Sequence, residues 1–497
     1  MQSTSSTHDA PPEPIPPPAA LAGGGPAATH AGGSLTPDWT CPFCPLHCDD
    51  ISIAIDAGGT LTAPDNRCPR LADALTLFGP DDEVCPALVD GQPVALEVAL
   101  DAAARILANA RRLLFGGMAT DVAGARALFR LAARCSATVD HVHGDALMHA
   151  TLALQDRGSF FTTLSEVRTR ADLLIFIDSQ PGLRYPEFYR RTGIYPRPTL
   201  PPATPFDLPS AAPAMVFVGC APDPALDGYA EATGATLDAL LPGADPYDVL
   251  AILSALLEGR PASAIRQAAG AGSTGLAAPL AALAERIRAA RYPVFVCEPA
   301  RLPGAHAALL IEALQRIVKA VNRTTRGGSL LLGGDDGAAS VNQTFTWLSG
   351  VALRTRVSAA HRAPGGAALD YDPHRYRTER LLAAGEVDAL LWVSSFGPQP
   401  LPAALDAALP TIVLGHPALA AAALARGPAT IFLPVATPGI DTHGHLFRTD
   451  GTVVVPLRPT RGAPGTRSSK LHGVDALAGQ CLQRLDDMAR APRGAHP

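Results

Sequence analysis

Short, almost wholly apolar runs recur along this chain, each separated from the next by a helical stretch. LLIFI at Leu173–Ile177 is the strongest, and similar runs lie at Arg112–Phe115, near Thr138, and at Met215–Val218, Val294–Val296, Leu330–Leu332, Leu390–Val393 and Thr411–Leu414. A strand that shows no polar alternation is buried on both faces, and strands that alternate with helices build a parallel sheet between two helical layers. Helical spacing fills Glu97–Ala110 and resumes from Asp121. So many strands exceed one comfortable sheet, so the chain reads as α/β with two doubly wound parallel-sheet lobes. Its 497 residues agree, since they exceed one ordinary domain. No repeat with a period of about 20–50 residues is present, which excludes a solenoid.

Composition narrows the classes further. Hydrophobic residues make up 47% and charged residues 17%, with a formal charge of -6, as in a globular protein and unlike an electrostatic nucleic-acid binder. No apolar stretch of about 18 residues is free of charge or proline, so no membrane helix is expected. The N-terminus lacks the basic start and apolar run of a secretory signal, so the expected location is cytoplasmic. Residues 1–37 are mostly Pro, Ala, Gly, Ser and Thr and read as a disordered tail. The Pro-rich interval Tyr195–Pro213 reads as a loop or insertion.

Of nine cysteines, five are scattered singly and read as small buried hydrophobes. The other four form the series Cys41-x2-Cys44-x3-Cys48-x19-Cys68, with a strand reading at Asp50–Ile55 between them. Three thiolates in one tight loop and a fourth from a later turn suit a 4Fe-4S cubane, each iron taking one thiolate. Two other readings stay open on these residues alone. A single zinc ion would more often use paired knuckles, though His47 could replace one cysteine; the loop could also be an empty relic.

The segment TCPFCPLHCDDISI (Thr40–Ile53) with NRCPR (Asn66–Arg70) resembles the cluster region of the B subunit of formylmethanofuran dehydrogenase, a family within the molybdopterin oxidoreductases. LSEVRTRADLLIFIDSQP (Leu164–Pro181), VNQTFTWLSG (Val341–Gly350) and GEVDALLWVSSFGP (Gly385–Pro398) resemble further segments of that subunit in the same order. The resemblance implies lobes of the formate dehydrogenase/DMSO reductase type. It divides the chain into a tail at 1–37, a cysteine lobe at 38–89, a first α/β lobe at 90–142 with 351–435, a second at 143–350 and a short C-terminal extension at 436–497. The run Asp441–Gly451 resembles the family's terminal motif, but too few residues follow Leu433 for the barrel that closes the site in larger members. His443 and His445 would share one face of a strand there without a third metal ligand nearby.

In that family a tungsten or molybdenum ion lies between two pterin dinucleotides and takes one protein thiolate or selenolate from a Cys-His-Gly-Pro motif. The matching run here is Val142-His143-Gly144-Asp145. Valine offers the metal no lone pair, so the resemblance fails where the redox chemistry is done. It therefore implies the bacterial branch that serves a formyltransferase/hydrolase complex, with the tungsten or molybdenum pterin dinucleotide absent. In that branch the partners are an amidohydrolase-like subunit, a formyltransferase and a C-type subunit. Gly116, Gly117 and Asp178, at the ends of strands, would be remains of the pterin crevice. His143 keeps the position of a substrate-proton residue. Retained cysteines point instead to an active dehydrogenase, and a zinc- or pterin-binding interaction protein outside one-carbon metabolism is a third reading.

Overall fold

The computed structural model describes residues 29–30, 33–79, 85–194, 212–268, 275–304, 306–359, 368–461 and 470–490. The LLIFI run lies at the centre of a five-stranded sheet. Its order is Leu237–Leu240, Ala214–Val218, Leu173–Ile177, Pro293–Cys297 and Gly328–Leu331, and every neighbouring pair is parallel. Because side chains alternate along a strand, the central one feeds two cores. Leu174 and Phe176 pack with Tyr185, Phe188 and Phe217 on one face, where the rings of Phe176 and Phe217 stack with centroids 4.5 Å apart. Leu173, Ile175 and Ile177 face the helices Pro246–Leu257, Ala277–Ala289 and Ala307–Val321 on the other. Burial on both sides is why this run carries no polar alternation.

The second sheet has nine strands. Five parallel strands form its middle, in the order Thr138–Val139, Leu113–Ala119, Ala389–Ser394, Thr411–Gly415 and Thr430–Pro434. Antiparallel pairs finish both edges: Thr355–Val357 with Leu369–Tyr371 on one, Ala87–Val89 with Gln92–Val94 on the other. The chain thus enters this sheet, leaves it to build the five-stranded one, and returns. One parallel sheet and one mixed sheet with a parallel middle place the chain in the α/β class.

The closing helix Val474–Arg490 belongs to this body. Val474, Leu477, Ala478, Cys481 and Leu485 recur at helical spacing and are buried against the core shared with helix Val122–Cys135. Its polar side is tied down by Arg134 to Asp486 at 2.8 Å and by Arg484 to Asp101 at 2.8 Å. No helix among the described residues is long and apolar enough to cross a membrane.

At the N-terminus a small antiparallel sheet runs Thr29–His30, Gly33–Trp39, Ile51–Ile55, Leu61–Thr62. This corrects the tail expected over 1–37, because Gly33–Trp39 is a strand paired with Ile51–Ile55. Its anchor is Trp39, fully buried, whose indole N–H donates to Gly439 O at 2.8 Å. Residues 1–28, 31–32 and the part of the Pro-rich interval at 195–211 lie outside the described residues.

Candidate functional site

The cysteine loop is closed by its own backbone: Cys41 N–H donates to Cys48 O at 2.9 Å, and His47 N–H to Cys44 O at 3.0 Å. Cys68 arrives from the turn just before helix Pro69–Leu75, its N–H held by Asn66 Oδ1 at 2.8 Å. Cys41, Cys48 and Cys68 are buried and Cys44 partly so. After burial, which raises Cys41 most, each of the other three acts on it electrostatically. Burial likewise pushes Cys48 up to about 12 and raises Cys44 and Cys68. The set is therefore neutral until a cationic group displaces its protons. Among the described residues no group of three or more His, Cys, Asp or Glu is gathered as a single ion requires. His47 is not placed as a substitute ligand, since its ring nitrogens face Cys41 O at 3.1 Å and Phe447 O at 3.3 Å.

Arg70, two residues beyond Cys68, reaches across to Asp335 at 2.6 Å. Arg184 binds the same carboxylate at 2.9 Å and the Tyr185 hydroxyl donates to it at 3.2 Å. Burial would raise Asp335, but Arg70 and Arg184 outweigh it and hold the carboxyl below its usual range. The cysteine loop is thereby joined to the Gly333–Gly337 turn.

The turn Asp140–Asp145 follows the short strand Thr138–Val139. Asp140 is buried and accepts from His141 N at 2.9 Å, Arg354 Nε at 3.0 Å, and Thr378 N and Oγ1 at 2.8 and 3.0 Å. Gly144 is required here, because a Cβ would come within 2.3 Å of Asp140 Oδ1. Asp145 takes Arg377 in two hydrogen bonds, at 2.9 and 2.7 Å, and Arg354 in a third. These hydrogen bonds outweigh its partial burial and lower its pKa to about 2.

His143 Nε2 lies 2.7 Å from Asp336 Oδ2, and Gln399 Nε2 donates to the same oxygen at 2.8 Å. The tautomer of the neighbouring His141 follows from its contacts. Its Nδ1 accepts His143 N–H at 3.0 Å, so its proton is on Nε2, facing Asp336 O at 3.3 Å. Burial, then His143, lowers the pKa of His141 to about 3, so the imidazole is neutral.

Two cavities meet at His143. The larger, about 720 Å³, is lined by Val142, His149, Arg354, His374 and Arg377. The smaller, about 390 Å³, is lined by Phe161, Leu330, Gly334, Gln343 and Thr449. Val142 lines the larger one and also packs against the core around Leu114 and Trp392, while its N–H donates to Gly117 O at 2.9 Å.

No family model matches the chain. It is 28% identical over 366 residues to the B subunit of the formyltransferase/hydrolase complex Fhc of Methylorubrum extorquens, over 73% of this chain and 88% of that protein. It is 31% identical over 169 residues to the B subunit of the tungsten-containing formylmethanofuran dehydrogenase 2 of Methanococcus maripaludis, over 32% of this chain and 38% of that one. A chain in the crystal structure of the formyltransferase/hydrolase complex (FhcABCD) from Methylorubrum extorquens with methylofuran superposes with a TM-score of 0.62 at 25% identity, covering 81% of this chain and 99% of that chain. Over most of its length the chain is thus similar to the B subunit of a formyltransferase/hydrolase complex, and over about a third of it to formylmethanofuran dehydrogenase B subunits.

Of the residues that the sequence singled out, the structure brings His143 to the junction of the two cavities, with Val142 lining the larger, and holds Cys41, Cys44 and Cys48 in one loop with Cys68 on the turn before helix Pro69–Leu75. Gly116 and Gly117 are explained otherwise. A Cβ on Gly116 would lie 3.0 Å from the Trp392 ring; Gly117 has φ +71, and a Cβ there would lie 2.5 Å from Val393 O. They let strand Ala389–Ser394 close on Leu113–Ala119, and neither lines the two cavities. Asp178 sits apart at the end of strand Leu173–Ile177, with φ +43 and its carbonyl accepting from Arg301 Nε at 3.2 Å. His443 and His445 are exposed. Sequence reading missed Asp336, Arg354, Arg377 and Gln399. The GGDDG run was the available signal for Asp336; the other three carry none, because their roles arise only from long-range contacts.

Proposed function

We propose that this chain is a non-redox B-type subunit of a formyltransferase/hydrolase complex. The pathway is the tetrahydromethanopterin- and methanofuran-dependent oxidation of formaldehyde to formate, in the cytoplasm. Its partners are an amidohydrolase-like subunit, a formyltransferase and a C-type subunit. The observation that carries this reading is Val142, an aliphatic side chain lining the larger cavity where dehydrogenases present a metal ligand. A tungsten or molybdenum pterin dinucleotide fits these residues poorly, since the isopropyl group cannot coordinate. Hydrolysis needs no electron acceptor, so a subunit retained for its surfaces can lose that ligand.

The four cysteines fit a 4Fe-4S cluster, with Cys41, Cys44, Cys48 and Cys68 as its holders. The electrostatic action of the other three cysteines on Cys41 and the burial of Cys41, Cys48 and Cys68 support this, and such a cluster would supply either electron transfer or a structural clamp on the loop. The two sheets are read as doubly wound lobes of the formate dehydrogenase/DMSO reductase type, at 90–142 with 351–435 and at 143–350. The cysteine lobe is read at 38–89 and a short C-terminal extension at 436–497.

The test is a deletion of this chain in cells that carry the complex. Formyl hydrolysis should stop, and the complex containing the chain should not reduce viologen dyes with formate or formylmethanofuran. Tungsten- or molybdenum-dependent dye reduction would assign the dehydrogenase function instead.

A further inference from the structure

Away from the two cavities, a third one of about 170 Å³ opens at the opposite end of the parallel strands, where Leu113–Ala119 and Thr138–Val139 begin. Arg112, Arg356 and Arg375 line it together with Ser136, Thr138 and Glu386. Among the described residues none of the three guanidinium groups makes an ion pair. Arg356 Nε reaches only Ser136 O, at 3.3 Å, and Arg375 lies 5.5 Å from the centroid of the Tyr376 ring.

The acids nearby are already engaged. Glu386 is clasped by Arg380 in two hydrogen bonds of 2.9 Å, Asp370 accepts the Tyr376 hydroxyl, and Asp388 accepts the backbone N–H groups of Arg111 and Arg112. The guanidinium groups act on common neighbours. Arg380 first, then Arg375 and Arg112, lowers Glu386, while Arg375 and Arg356 both act on Tyr376. Three like charges around one small recess repel one another unless a counter-ion joins them. Guanidinium forks match the oxygens of phosphate in spacing and plane.

We propose that this recess is a binding site for a doubly charged oxyanion of phosphate size, held by Arg112, Arg356 and Arg375. The site is separate from the His143 cavities but shares a segment with them: Arg375 and Tyr376 line the recess, while Pro373, His374 and Arg377 line the larger cavity. An anion here would fix the segment that flanks that cavity.

The full chain should bind inorganic phosphate with a saturable heat, one site per chain, above that of chloride at equal ionic strength. Replacing two forks, in R356A/R375A, should weaken binding by roughly tenfold or more. R375K, which keeps the charge and loses the fork, should fall between. R126A/R130A, on the exposed side of helix Val122–Cys135, should titrate like the parent. Absence of phosphate binding above chloride in the unsubstituted chain, or equal affinity in R356A/R375A, overturns the proposal; the first result needs no variant to fold.

Discussion

Val142 and Gly144 stand two positions apart and answer different demands. Val142 lines a cavity, so its chemistry is open to change; Gly144 is pressed against Asp140, so its size is not. Val142→Cys is expected to fold and to remain without dye-reducing activity, because one thiolate does not by itself hold a tungsten or molybdenum pterin dinucleotide. Activity assays with metal analysis of the variant check this. Gly144→Ala should cost about 1–3 kcal/mol, since a methyl 2.3 Å from a buried carboxylate forces the turn apart. A urea midpoint unchanged from the parent would contradict the contact. The difference also marks what a sequence can reveal at this scale. The run VHGD was visible, but the partners that hold it, Arg354, Arg377 and Asp336, lie some two hundred residues away along the chain, and no local pattern points to them.

Elements were more legible where burial was complete. The central strands of both sheets carry near-continuous apolar runs because helices or other elements cover both faces, and that pattern cannot be mistaken for a solvated hairpin. Gly33–Trp39 escaped because a polar strand anchored mainly by Trp39 looks like a tail. The closing helix was equally quiet: its buried stripe mixes Ala and Cys with Leu, and its role depends on helix Val122–Cys135 being there to meet it. Leu477 is fully buried in that contact, so Leu477→Ala should destabilise the chain by about 2–4 kcal/mol through the cavity it leaves. Equilibrium unfolding measures it directly. For the cysteine loop, protein prepared without oxygen should carry iron and absorb broadly in the visible. Replacing Cys41, Cys44, Cys48 or Cys68 by Ser should remove the iron and part of the stability. Colourless protein with stoichiometric zinc would transfer the loop to a structural zinc site.

Across the whole molecule, buried imidazoles mark where the parts meet. His141 lies under the Asp336 turn that comes from beyond the five-stranded sheet. His416, at the end of strand Thr411–Gly415, packs edge-on against Phe78 with ring centroids 5.0 Å apart and accepts Ala418 N–H on Nδ1 at 3.2 Å. Burial lowers His141 to about 3, and burial, then Arg461, lowers His416 to about 4, against 6.5 for an ordinary histidine. The sign follows from proton binding. Below 6.5 the unfolded chain takes up protons that the folded chain refuses, so these groups favour folding above 6.5 and lose that contribution as pH falls toward 4 and then 3. Each unit of separation corresponds to about 1.4 kcal/mol, so the two together remove on the order of a few kcal/mol between pH 6.5 and 4.5. Urea unfolding followed from pH 7.5 to 4.5 should therefore show stability declining below 6.5. In His416→Asn, whose side-chain oxygen can still accept Ala418 N–H but does not titrate, that decline should be shallower by the share of one histidine. Parallel pH dependence in the parent and the variant would mean that His416 is protonated in the folded chain.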